Sequence, residues 1–288
     1  MNMETGLITT PSLAPAEGQR VDVKPQTGLI VNADDWGRDR QTTDRIRECV
    51  SCRSVSATSA MVFMRDSERA AYIASECGVD VGLHLNFTTE FSSPSCPSRL
   101  LERQRQVGAH LRRNRFAPVL FHPGLMDTLH YLVQSQLEEF NRLYGRPAQR
   151  IDGHHHMHLC ANVLYGKLLP VGTLVRRNFS FRPGEKSFVN RFYRRFVDSR
   201  LATRHQLVNF LFALSPLEPP ARLQRIFATA RAAVVELETH PVNADEYKFL
   251  TEGEMLRQAN DILIHQGFAS LRQVGSSPYR PARQVNIN

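Results

Sequence analysis

Two adjacent aspartates, Asp34 and Asp35, end the apolar run Leu29-Ile30-Val31 in the stretch Asn32-Ala33-Asp34-Asp35-Trp36-Gly37. Carboxylates packed side by side repel unless a cation or a proton separates their charges. The same chain supplies cation ligands further on. His84 lies in Gly82-Leu83-His84-Leu85-Asn86, and four histidines lie in Asp152-Gly153-His154-His155-His156-Met157-His158. One carboxylate with two imidazoles makes a facial metal site that leaves positions open for water and substrate. The second aspartate is then free to act as a base on that water. These residue types point to a metal-dependent hydrolase with Asp35 as ligand and Asp34 as base, the reverse assignment staying open.

Four imidazoles in five positions cannot all bind one ion, so most of them serve as outer-layer or substrate contacts. Asp152, His154, His156 and His158 share one strand parity if the extended conformation persists. Asp152 is suited to accept from a ligand imidazole and fix its tautomer. His240 precedes Pro241, which keeps it extended, and is a candidate general acid for an amine leaving group. Arg176 follows a short strand and suits either a carboxylate, a substrate oxygen or a structural role. The remaining histidines read as structural.

These residues must be positioned by strand ends. In Val79-Asp80-Val81-Gly82-Leu83-His84-Leu85-Asn86 the alternation is period two, which puts His84 among polar neighbours on one face. From Gly28 onward, β-rich runs alternate with helical ones: strands at 29–32, 55–63, 79–86, 150–152, 173–175, 234–237 and near Phe268. The intervening pattern predicts helices at 42–53, 67–77, 125–144, 161–169, 219–229 and 252–266. Repeated βα units imply a parallel sheet with its chemistry at the carboxyl ends of the strands. The expected organisation is an N-terminal tail over 1–27, one α/β barrel over 28–275 and a tail over 276–288. Two Arg-rich insertions, about 88–123 and 179–214, interrupt the barrel.

The 288 residues carry a formal charge of +8, with 42% hydrophobic and 22% charged residues. That balance describes an ordinary globular chain, and no apolar run approaches the ~20 residues of a membrane span. The first 27 residues lack the basic start and apolar core of a signal peptide. Five cysteines, with a lone Cys49/Cys52 pair inside a predicted helix, give no disulfide framework or zinc site. The cytoplasm is the expected location. The basic insertions suit an anionic partner, and no nucleic-acid motif accompanies them.

Taken together, the Asp34-Asp35 stretch, Gly82-Leu83-His84, the Asp152–His158 cluster and His240-Pro241 resemble, in order and spacing, the YdjC-like (ChbG/HpnK) carbohydrate deacetylase family. The resemblance spans about Gly28 to Leu271. It implies a distorted TIM-like barrel related to NodB-type polysaccharide deacetylases, and removal of the acetyl group from the nitrogen of a 2-acetamido sugar. It further implies Asp35, His84 and His154 as metal ligands, Asp34 as base and His240 as acid. One divalent ion is implied, magnesium by family resemblance, with zinc, manganese or cobalt also suited to the ligand set. The implied partner is an N-acetylated mono- or oligosaccharide, anionic or lipid-linked forms included, and a homodimer is compatible with the pattern. Trp36 stands where Phe is commoner in the family and is expected to alter sugar stacking. The rival readings are a phosphoesterase or other amidohydrolase on the same ligands, and a non-catalytic glycan-binding protein.

Overall fold

The computed structural model describes residues 27–272, so the expected tails lie outside the described residues apart from Thr27. Seven strands form one sheet: β1 (Gly28–Trp36), β2 (Ala57–Ala60), β3 (Asp80–Leu85), β4 (Arg150–Gly153), β5 (Leu174–Val175), β6 (Phe210–Ala213) and β7 (Val234–Thr239). Their order is β5-β4-β3-β2-β1-β7-β6, the cyclic chain order of a barrel with β1 beside β7. Every pairing is parallel. The two edges meet where the chain ahead of β6 runs beside β5. There Leu174 bridges Gln206, and the Val175 N–H donates to the Gln206 carbonyl at 2.9 Å. The result is a curled, distorted barrel with its helices outside, the arrangement expected of alternating strands and helices.

Both faces of β1 are buried, against different layers. Leu29, Val31 and Ala33 join the large core between sheet and helices. Ile30 points the other way and forms a small apolar plug with Ala57, Leu174, Val208 and Val234, sealed by Phe268. Above that plug the interior positions turn polar: Asn32, Ser59, Arg150, Asp152, Arg176 and Glu236 are all buried. The apolar layer closes the barrel floor, and the polar layer supports the strand ends.

Several elements differ from the sequence pattern. The helix predicted over 252–266 is replaced by Ala244–Thr251 and Glu254–Gln258, because Gly253 at φ 79° breaks the run between them. The last strand reduces to one bridge, Leu29 with Ile264, since β1 has a free edge only below the start of β2. The second Arg-rich insertion contains β6 and the helix Phe188–Ala202. The first contains the helix Ser98–Arg112, packed through Leu100, Val107 and Leu111.

Candidate active site

In a regular strand Asp34 and Asp35 would point to opposite faces. A register irregularity between β1 and β2 falls between Ala33 and Trp36, and Asp35 adopts φ 68°. This bulge turns the second carboxylate toward the same interior as the first. Asp34 Oδ2 and Asp35 Oδ1 lie 3.9 and 3.4 Å from His84 Nε2. Arg38 fastens the other oxygen, Asp35 Oδ2, at 2.7 Å.

His84 projects inward from β3, directly paired with Asp152 on β4. Its Nδ1–H donates to Asp152 Oδ1 at 2.7 Å, because an ionised carboxylate only accepts. That leaves Nε2 facing Asp35, to carry a proton or, deprotonated, to offer its lone pair to a cation. Burial opposes the imidazolium, yet the carboxylates of Asp34, Asp152 and Asp35 outweigh it and push the His84 pKa up to about 10. Burial also opposes ionisation of Asp35, but contacts with His154 and His84 hold its carboxyl well below the usual range.

The histidine cluster does not stay extended. After Gly153 the chain enters a short 3-10 segment, His154–Leu159, with His155 and His156 in the left-handed region at φ 54° and 56°. The shared parity expected of Asp152, His154, His156 and His158 is therefore lost, and the imidazoles fan out to separate partners. His154 Nδ1 lies 2.9 Å from Asp35 Oδ1, with Thr89 Oγ1 at 2.9 Å from its other nitrogen. His155 meets Thr88 Oγ1 at 3.0 Å. His156 meets Glu238 at 3.3 Å. His158 is fully buried and its Nε2 donates to the Arg176 carbonyl at 3.0 Å; burial pushes its pKa down to about 3.

One atom each from Asp35, His84 and His154 falls within 4.8 Å of the others. Asp35 Oδ1 and His84 Nε2 are buried without a hydrogen-bond partner. Two such atoms facing each other at 3.4 Å are costly unless a cation sits between them. Both imidazoles have their second nitrogen engaged, by Asp152 and by Thr89, as ligand histidines require. The donor set fits a divalent ion. Two other groupings, Asp34/His84/Asp152 and Asp34/Glu238/His240, also come together. Their carboxylates, however, are already bonded to Arg176.

Arg176 is the hub of the interior. Its guanidinium binds both oxygens of Asp34 at 2.6 and 2.8 Å, Glu236 at 2.7 Å and Glu238 at 3.0 Å. It also reaches Asp152 at 3.2 Å. Burial disfavours its charge, but these carboxylates reverse that and raise its pKa. Arg150 completes the layer with bonds to Asp152 at 2.8 Å and Ser59 at 2.9 Å. A Cβ on Gly82 would stand 2.5 Å from the Arg150 Cζ, so glycine is what admits this side chain.

His240 sits at the mouth, 38% exposed, with Nε2 3.9 Å from Asp34 Oδ2. Trp36 is a correction. It is fully buried, and its indole N–H donates to the Ala70 carbonyl at 3.2 Å, so it packs the outer core and offers no face to a sugar. Sequence reasoning passed over Glu236, Glu238, Arg150 and Ser59. Their signal was available in β7, where Glu236 and Glu238 alternate with Val235 and Leu237.

The chain is a parallel α/β barrel with its buried acids and imidazoles gathered at the carboxyl ends of the strands, the face on which barrel folds carry their sites. The chain belongs to the YdjC-like protein family, whose model matches residues 28–267. It is 34% identical over 132 residues to a chitooligosaccharide deacetylase from Serratia marcescens, covering 46% of this chain and 50% of that relative. A chitooligosaccharide deacetylase from Proteus mirabilis (strain HI4320) is 33% identical over 131 residues, with the same coverage. The chain thus spans about half the length of the curated relatives it matches. Its fold is similar to a crystal structure from Enterococcus faecalis V583 of a protein named for cellobiose-phosphate cleavage. That match has a TM-score of 0.59 and 18% identity, covering 84% of this chain and 98% of the other.

Proposed function

We propose that the chain is a metal-dependent carbohydrate N-deacetylase that hydrolyses a 2-acetamido sugar to the free amine and acetate. The observation that carries this reading is the buried meeting of Asp35 Oδ1, His84 Nε2 and His154 Nδ1 beside a second carboxylate, Asp34. The relatives' name, chitooligosaccharide deacetylase, supplies the substrate class, an N-acetylated oligosaccharide. Magnesium follows from the family resemblance, and zinc, manganese or cobalt suits the same donors. Five free cysteines accord with a cytoplasmic location.

A divalent ion held by Asp35, His84 and His154 supplies Lewis acidity for the amide carbonyl and the attacking water. The chain's own groups handle the protons. Asp34 Oδ1 accepts from Asn32 and from Arg176, whereas Oδ2 accepts from one Arg176 N–H. Oδ2 keeps a lone pair and is the oxygen 3.9 Å from His84, so it takes the proton of the attacking water. His240, 3.9 Å from that oxygen and open to solvent, gives a proton to the departing sugar nitrogen. One proton removed and one supplied balance the hydrolysis, and the two groups are close enough to reset each other through solvent.

The test is acetate release by metal-reconstituted protein across N-acetylated mono- and oligosaccharides, with Asp34→Asn as control. The variant should bind metal and lose about 10²–10⁴ in turnover. Loss of metal in that variant would exchange the roles of the two aspartates. Phosphate release from sugar phosphates without acetate release would replace the reading by a phosphoesterase.

A further inference from the structure

The helix Phe188–Ala202 is attached to the barrel along one side. Val197, Asp198 and Leu201 are its buried residues, and Asp198 accepts from Arg177 at 2.8 Å and from Asn178 at 2.9 Å. The opposite side carries the larger apolar residues. Phe188, Val189, Phe192 and Phe196 are 73, 75, 64 and 45% exposed, and the i, i+4, i+8 spacing of the phenylalanines puts them in one stripe. An apolar stripe turned to water normally marks a surface that something covers.

The stripe does not end with the helix. A cavity of about 370 Å³, lined in part by Val119, Tyr165, Tyr193 and Phe196, joins it to the segment after the helix Ser98–Arg112. In that segment Leu120 and Phe121 are 64 and 45% exposed, and the Phe121 ring lies 6.5 Å from that of Tyr165. Both Arg-rich stretches therefore present aromatic and aliphatic side chains at one face.

The charge around this face is mostly basic, with Glu185 exposed at its edge beside Lys186. Arg113, Arg115, Lys167, Lys186, Arg195 and Arg200 are exposed. Between Lys186 and Arg204 the single acidic residue is Asp198, which is buried against Arg177, and between Ala109 and Pro123 there is none. Apolar rings interleaved with uncompensated arginines match the interface of an anionic bilayer, where rings enter the head-group region and guanidiniums meet phosphate.

We propose that this face docks on an anionic phospholipid membrane, with the Phe188, Phe192 and Phe196 stripe inserting and Arg195 and Arg200 holding phosphates. The candidate site lies close behind. Phe179 meets His156 edge to face with ring centres 4.6 Å apart, Phe181 follows it at 6.4 Å, and Arg194 of the helix covers Phe181 at 5.1 Å. Docking therefore holds the rim of the barrel mouth next to the lipid surface.

Co-sedimentation of the full chain with vesicles tests this, using phosphatidylcholine alone and phosphatidylcholine mixed equally with phosphatidylglycerol. Binding is expected to the anionic vesicles, to weaken with salt, and to be slight with the neutral ones. Phe188→Ser/Phe192→Ser/Phe196→Ser should weaken it at least about a hundredfold. Arg195→Gln/Arg200→Gln should weaken it about tenfold or more. None of the five side chains is among the helix's buried residues, so melting temperature should stay within a few degrees of native in both variants. Equal sedimentation with the two vesicle types, or unchanged binding in the triple variant, would overturn the proposal. So would a native dimer by light scattering that the triple variant converts to monomer while no vesicle binding is seen, because a second copy would then be what covers the stripe.

Discussion

Gly82→Ala is a single methyl group at the point where the barrel interior is tightest. The added Cβ would lie 2.5 Å from Arg150 Cζ and 2.8 Å from its Nε, against the 3.4 Å at which ordinary contact begins. The guanidinium must retreat by about 0.9 Å, and little room awaits it, because the Phe268 ring lies 4.4 Å beneath. Its bonds to Asp152 Oδ2 at 2.8 Å and Ser59 at 2.9 Å then stretch past hydrogen-bonding range. Overpacking costs about 1–3 kcal/mol, and a lost charge-assisted bond about 1.5–3 kcal/mol more. The sum, roughly 2.5–6 kcal/mol, corresponds to a drop of about 5–24 °C in a domain of this size.

The effect reaches the site, because the same Asp152 carboxylate orients His84. Metal affinity should fall about tenfold. Thermal unfolding and calorimetric metal titration measure the two effects. The decisive arm is the double variant with Arg150→Met. If the clash with Arg150 is the cause, Gly82→Ala should cost little on that background. An equal cost with and without Arg150, or a melting temperature within about 2 °C of native for the single variant, would refute the reasoning.

Asp152→Asn replaces a charge with a dipole whose amide hydrogens face the donors of Arg150 and Arg176. Metal affinity should fall about 10–100-fold by calorimetry, and unchanged affinity would remove Asp152 from any role in holding His84. His240→Gln, at the exposed mouth, should lower turnover about 10²-fold or more with the melting temperature unchanged; equal turnover would exclude it as the acid. The metal-free protein should lose stability in alkali, because His84 is raised from 6.5 to about 10. That contribution is full below pH 6.5 and is lost as pH rises toward 10, at up to about 1.4 kcal/mol per pH unit. Saturating metal, which takes the neutral imidazole, should flatten this loss, and a melting temperature constant from pH 7 to 9 with chelator present would contradict it.

The candidate residues were legible because Asp34, Asp35, His84 and the histidine cluster combine rare residue types with strand-exit positions, a pattern that survives without coordinates. The geometry that unites them was not. Strand parity sends Asp34 and Asp35 to opposite faces, and only the bulge at Asp35 brings both inside. Parity likewise misplaced His156 and His158, because two left-handed residues interrupt the extended run. Trp36 read as a sugar contact through the family resemblance, where Phe is commoner, but the next step along β1 returns it to the outer core. Glu236 and Glu238 were passed over because acids in a strand read as solvent-facing until the sheet curls and gives that face an interior. β6 was hidden for a related reason. Its Phe-rich stretch lies within an Arg-rich segment whose composition suggests a surface insertion.

That interior also carries an argument about the cofactor that no single residue supplies. Asp34, Asp35, Asp152, Glu236 and Glu238 are each at most 5% exposed, and only Arg150 and Arg176 are buried with them as guanidiniums. With every carboxylate ionised, these two guanidiniums and the half-buried Arg38, 2.7 Å from Asp35 Oδ2, leave an excess of two negative charges. Burial raises the Glu236 pKa against the pull of the Arg176 and Arg150 guanidiniums. The guanidiniums cannot respond, since arginine stays protonated in proteins, so the deficit falls on whatever occupies the space between Asp35 and the imidazoles. In the metal-free chain a proton on His84 answers part of that deficit, and, against burial, the carboxylates of Asp34, Asp152 and Asp35 push its pKa up to about 10. A divalent ion supplies two charges at the same place, expels that proton and gives the orphaned Asp35 Oδ1 and His84 Nε2 a common partner. The net negative charge of these buried groups therefore favours a cation at this place on grounds separate from the donor types.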